Sequence, residues 1–120
     1  MFEVAEAYER QRGRSNKLLA PLFVNFVGVK GELLDVGCGT GALTFAMAKS
    51  ESVSKIVAMD LSEGFLAYAR SKSDDPRISF ESGDAQNLRF SDASFDQCLA
   101  LLVVRFIPDA PKAAREMRRV

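Results

Sequence analysis

The chain is 120 residues long, 48% hydrophobic and free of histidine, with 16 basic residues set against 16 acidic ones. That size suits one globular domain, the balanced charge removes the electrostatic case for a nucleic-acid or membrane-surface partner, and no apolar run approaches the ~20 residues that cross a bilayer. Without histidine there is no Ser/His or Cys/His triad and no Cys/His zinc site, and Cys38 and Cys98 read as buried reduced thiols rather than a disulfide framework.

The opening MFEVAEAYER is acidic and amphipathic, unlike a secretory or organellar leader, so a cytoplasmic location is expected. Leu18, Leu19, Leu22, Phe23, Phe26 and Val27 recur at three- and four-residue spacing and predict one apolar helix face, with Pro21 near its first turn or at a kink and Gly28 and Gly31 ending it. Short apolar runs then alternate with helical patterns. Strands are expected at Glu32–Val36, Lys55–Asp60, Arg77–Glu81 and Phe95–Val103, and helices at about Gly41–Ser50 and Glu63–Lys72. Runs such as KIVAMD and CLALLVV are apolar on both faces, which predicts an α/β fold: a doubly wound, mainly parallel sheet covered by helices on each side. With no repeat, low-complexity tract or linker, residues 1–120 read as one domain with 1–30 as a leading helical segment. Arg115, Arg118 and Arg119 read as a solvated helix surface.

In such sheets ligands bind outside the carboxyl ends of the strands. Those ends carry Asp35 with Gly37, Gly39 and Gly41, then Asp60, then Asp84, then Ala100 and Leu101. The glycines suit a sharp turn into a helix whose first N–H groups face outward. Asp60, 23 residues after Gly37, is near the spacing at which an acidic residue accepts hydrogen bonds from ribose hydroxyls, so a nucleoside is implied. Plainer readings exist for each: glycines that only let a helix pack on a strand, Asp60 before the helix N-cap Ser62, and Asp84 capping the segment after Gly83.

LLDVGCGTGALT, VAMDLS and GDAQNLRFSDASFDQCLALLVVRFIPD resemble the glycine motif, the acidic motif and the third-to-fourth-strand segment of class I S-adenosylmethionine-dependent methyltransferases, in the group that includes small-molecule and quinone methylases. AYERQRGRSNKLLAPLF is similar to the leading helix of some members, and REMRRV to the start of the helix after the fourth strand. The resemblance implies S-adenosyl-L-methionine as cofactor and a small-molecule methyl acceptor. It implies that Asp35 and the backbone of Gly37 and Gly39 hold the methionine end, with Gly37, Cys38, Gly39 and Gly41 shaping its bed. Asp60 would bind the ribose, Leu61 would pack on the adenine, Asp84 would accept from the adenine amino group beside the backbone of Ala85, and the backbone of Ala100 and Leu101 would face the methionine amino group. Ala42 also satisfies a dinucleotide pattern, so a nicotinamide-binding domain is a further, weaker reading.

The resemblance also implies a strand order of 3-2-1-4, followed in the family by three strands that this chain does not carry. Two readings follow from it: a methyltransferase or its cofactor-binding part, and a binding or interaction module without turnover. The run 95–103 would then have an open outer edge, a candidate surface for a homodimer. Methyl transfer from a sulfonium needs no fixed catalytic side chain, and no catalytic residue is assigned. A general base would be a carboxylate, a tyrosine such as Tyr8, or a partner's residue. Arg89 and Arg105-Phe106 stand where the family often has proline and histidines.

Overall fold

The computed structural model describes residues 3–10, 14–101, 103 and 106–120. Helices α1 (Glu3–Tyr8) and α2 (Arg14–Val27) precede strand β1 (Gly31–Val36), helix α3 (Ala42–Ala48), β2 (Val53–Asp60), α4 (Glu63–Arg70), β3 (Ile78–Ser82), β4 (Gln97–Leu99) and α5 (Ala110–Arg119). The four strands form one sheet in the order β3-β2-β1-β4, every neighbouring pair parallel, as the resemblance implies. In β1, Leu33 to Val36 are buried without a break, and so are Ile56 to Met59 in β2, because helices cover both faces of the sheet.

Alternation within the strands sorts the two layers. Leu33, Ile56 and Leu99 point into a core shared with Leu43 and Met47 of α3 and with Ala20, Phe23, Val24 and Val27 of α2. Ala58 meets Leu66 of α4 on the same face. Leu34, Val36, Val57 and Met59 point the other way, to Leu88 and to Met117 and Val120 at the end of α5. Asp35 lies opposite Ala58 on one side and Leu99 on the other, so the carboxyl ends of three strands sit side by side.

Helix ends follow local chemistry. Gly41 caps α3 with a left-handed φ of 99°, and Ser62 caps α4, its Oγ accepting from the Phe65 N–H at 3.2 Å. The helices stop at Ala48 and Arg70, a little short of the expected limits.

Three expectations need correction. The fourth strand is three residues, not the nine of 95–103. Before it, the Phe95 N–H donates to the Val120 carbonyl at 2.9 Å, and after it the chain bends away where β1 ends and offers no further ladder. Apolar residues past Leu99 are used elsewhere, and Leu102, Val104 and Arg105 lie outside the described residues. Second, the apolar stripe of α2 does not all turn inward: Leu18, Leu22 and Phe26 are 71%, 66% and 88% exposed, while the inward face runs through Ala20, Phe23, Val24 and Val27. Pro21 is inside the helix, well past its first turn. Third, Cys98 is only half-buried, as a residue of the edge strand, whereas Cys38 is buried as expected.

Candidate functional site

After β1 the chain cannot continue straight, because α3 must return across the sheet. The turn is held to β2 by the N–H groups of Gly37 and Cys38, which both donate to the Met59 carbonyl at 2.8 and 2.9 Å. Gly37 (φ 72°) has no room for a side chain: a β-carbon there would lie 2.4 Å from Val103 Cγ2. Gly39 differs. Its φ of 56° is left-handed, yet a β-carbon would meet nothing within 4 Å. A side chain at that position would project into open space at the mouth of the strand ends.

The carboxylates are fixed by backbone donors. Asp60 Oδ2 accepts from the Gly39 N–H and Oδ1 from the Ser62 N–H, each at 2.9 Å, so one side chain ties the glycine loop to the start of α4. The helix-start reading of Asp60 and its place in the crevice therefore hold together. Asp84 Oδ1 accepts from the Gln86 N–H at 2.8 Å and from Gln86 Nε2 at 3.2 Å. Asp35 is 1% exposed, and its Oδ2 accepts from Thr44 Oγ1 at 2.6 Å. Burial pushes its pKa up to about 7, the Thr44 hydrogen bond opposes this, and the charge of Asp60 adds to it. Burial, with Asp35 and Asp60 nearby, also drives the Cys38 thiol upward, which leaves it a poor nucleophile.

These groups surround a cavity of about 370 Å³. One wall is Gly37, Gly39, Asp60 and Leu61, a second is Gly83, Asp84, Ala85 and Gln86, and a third is Leu101, Val103, Phe106, Ile107 and Pro108. A smaller cavity of about 30 Å³ adjoins it and is lined by Asp35, Cys38 and Thr40, with Gly37, Gly39 and Leu101 shared by both. Tyr8 reaches both cavities from α1, its ring 5.2 Å from that of Phe65 and its hydroxyl accepting from Asn16 Nδ2. Thr40 Oγ1 donates to Glu9, which pairs with Lys17 at 2.6 Å. Burial alone would raise Glu9, but the bonds from Lys17 and Thr40 prevail and hold it below its ordinary value.

Nine of the eleven residues singled out in the sequence line one cavity or both. Gly41 and Ala100 do not: Gly41 serves as the cap of α3, and Ala100 packs into the apolar cluster behind the sheet. Phe65, Gln86, Ile107 and Pro108 were not singled out, whereas Phe106, noted at a position where the family often has a histidine, lines the larger cavity. Only Gln86 carried a signal, its position directly after Asp84-Ala85.

A family model for a methyltransferase domain matches residues 34–120. The chain belongs to the class I S-adenosylmethionine-dependent methyltransferases. Among members of that family, the malonyl-acyl-carrier-protein O-methyltransferase of Erwinia pyrifoliae is 40% identical over 73% of this chain and 32% of its own length. The demethylmenaquinone methyltransferase of Staphylococcus haemolyticus is 36% identical over 78% of this chain and 40% of its own. A crystal structure from Methanococcus maripaludis, assigned to the S-adenosyl-L-methionine-dependent methyltransferases, superposes on 97% of this chain with a TM-score of 0.80 at 27% identity. The chain spans about a third of the first relative and 55% of the solved structure.

Proposed function

We propose that this methyltransferase chain binds S-adenosyl-L-methionine at the strand ends and serves transfer of its methyl group to a small-molecule acceptor. The observation that carries the reading is the opening at Gly39, where the backbone turns left-handed beside the Asp60 carboxylate and leaves free the volume a side chain would fill. The donor set fits the cofactor. Asp60 has lone pairs beyond those used by Gly39 and Ser62 to accept from ribose hydroxyls, Asp84 and Ala85 suit the polar edge of adenine, and Leu61 and the 106–108 wall suit its faces. Asp35 and the backbone of Gly37 and Gly39, in the adjoining cavity, suit the cationic methionine end.

Bound there, the cofactor supplies a methyl group already activated on a sulfonium, so the chain's own residues contribute orientation and exclusion of water. Tyr8, Phe65 and Phe106 place aromatic rings along the cavity, the apolar surface against which the cofactor and acceptor would be oriented. Tyr8 is a candidate to take a proton from an acceptor, Asp60 and Asp84 being engaged by the cofactor. Relatives named for malonyl-acyl-carrier-protein and demethylmenaquinone support a small acceptor, free or carried. No helix among the described residues is long and apolar enough to cross a membrane.

Calorimetric titration with S-adenosylhomocysteine, with NAD as control, tests the reading. Binding of the first and not the second is expected, and Asp60→Ala should weaken it by roughly 1–3 kcal/mol through loss of charged hydrogen bonds. Unchanged affinity in that variant overturns the ribose assignment.

A further inference from the structure

Gln86 joins two walls of the cavity through both ends of its side-chain amide. Its Nε2 donates to Asp84 Oδ1 at 3.2 Å, and its Oε1 accepts from the Asp109 N–H at 3.1 Å, at the N-cap of α5 and next to the wall formed by residues 106–108. Its own backbone N–H donates to the same Asp84 oxygen at 2.8 Å. Both Gln86 donors thus converge on Oδ1 and leave Oδ2 as the acceptor for a bound molecule.

We propose that Gln86 is a positioning residue, which aims the Asp84 carboxylate into the cavity and locks it to the head of α5, so that discrimination of the adenine amino group depends on a residue that need not touch it. The proposal rests on the cofactor reading above. A turn formed by the backbone N–H alone would hold Oδ1 through a single bond against the broad χ2 torsion. The second donor on the same oxygen, arriving from a side chain anchored 23 residues further along the chain, narrows that torsion and sets the direction of Oδ2. The anchor helix is itself tied to the same segment: at the other end of α5, Glu116 Oε1 accepts from the Leu88 N–H at 2.9 Å and Arg119 Nη2 donates to the Leu88 carbonyl at 2.8 Å. The segment that follows Asp84 is therefore clasped to one helix at two places, and Gln86 is the clasp on the cavity side.

The test compares two ligands on the purified chain by calorimetry: S-adenosylhomocysteine and S-inosylhomocysteine, in which a carbonyl oxygen replaces the adenine amino group and faces the carboxylate as a second acceptor. The unsubstituted chain is expected to prefer the adenosyl compound by at least about tenfold, since a site built for a donor leaves an acceptor unpaired. In Gln86→Leu the ratio should fall to about twofold, with the affinity for the inosyl compound almost unchanged. Equal weakening of both ligands would show general loosening of the cavity and overturn the proposal, and so would an unchanged ratio. Gln86→Glu is the milder companion, because it keeps an acceptor for the Asp109 N–H while setting a carboxylate against Asp84. It should lose discrimination too, and retained discrimination in it overturns the proposal. A chain that binds neither compound before substitution fails the cofactor reading itself, an outcome separate from those of the variants.

Discussion

The two ends of the sheet use polar groups in opposite ways. At the end where β2 and β3 begin, Arg77 exhausts its guanidinium on the protein: it donates to the carbonyls of Ala48, Ser50 and Val53 and to both oxygens of Asp75. The carbonyls at the end of α3, in the turn after it and at the start of β2 are thereby bonded. At the carboxyl end, Asp60 and Asp84 are fixed by backbone donors but keep accepting capacity, and they face a cavity walled by apolar side chains. Fully spent polar groups mark a structural end; polar groups held in place and only partly spent mark a binding end.

The largest expected effect breaks the binding end alone. Gly39→Val meets no atom on its β-carbon, so the chain should fold with a penalty of about 1–2 kcal/mol for a β-branched residue at positive φ, while S-adenosylhomocysteine binding falls by at least about 100-fold because the side chain occupies the opening. Calorimetry with circular dichroism checks both halves, and a folded variant of normal affinity would make the glycine a packing device. Arg77→Leu is the converse. It should lower Tm clearly, by taking a donor from three carbonyls, of which Ser50 keeps a bond from the Val53 N–H, and leave ligand affinity within about twofold because the substitution lies at the opposite end of the strands.

The third effect is smaller and depends on pH. Asp35, with an ordinary pKa of 3.8, is held at about 7 in the folded chain, so the folded state binds that proton more tightly than the unfolded one. Its contribution to stability is fully present below about pH 4 and is lost as pH rises through about 7. Denaturant midpoints of the ligand-free chain should therefore fall between pH 5 and pH 8 by the equivalent of about 1–3 kcal/mol, and Asp35→Asn should flatten that slope. An unchanged slope in the variant assigns the pH dependence to another group.

The sequence disclosed what chain direction fixes. Right-handed crossovers put every strand's carboxyl end on one side, so residues that close the runs had to converge, and Asp60, Asp84 and the glycine loop do. It did not disclose which apolar residues line a cavity and which fill a core, because the two look alike in composition. Leu101 and Val103 read as strand and prove to be cavity wall, Phe65 gave no sign of its place, and Phe106 was marked only through the resemblance. The α2 stripe misled for the related reason that spacing identifies a face without saying where it points: Phe26 is outside while Phe23 packs inside. The Glu9–Thr40 contact joins residues 31 apart through no recognisable pattern.

The position of β1 has a consequence for how the molecule comes into being. It is the first strand in the chain and an interior one in the sheet, and its partners lie far downstream: Leu34 opposes Val57 on one side and Cys98 on the other. A nascent chain thus carries the Leu34 and Val36 face uncovered until Leu88, Met117 and Val120 have been synthesised, and the β1–β4 pairing waits on the closure of a loop of more than 60 residues. Folding should be slow for the size of the domain, with exposed apolar strand as the species that chaperones meet. The Asp35 carboxylate, flanked by Ala58 and Leu99, acquires its surroundings only when that late pairing closes.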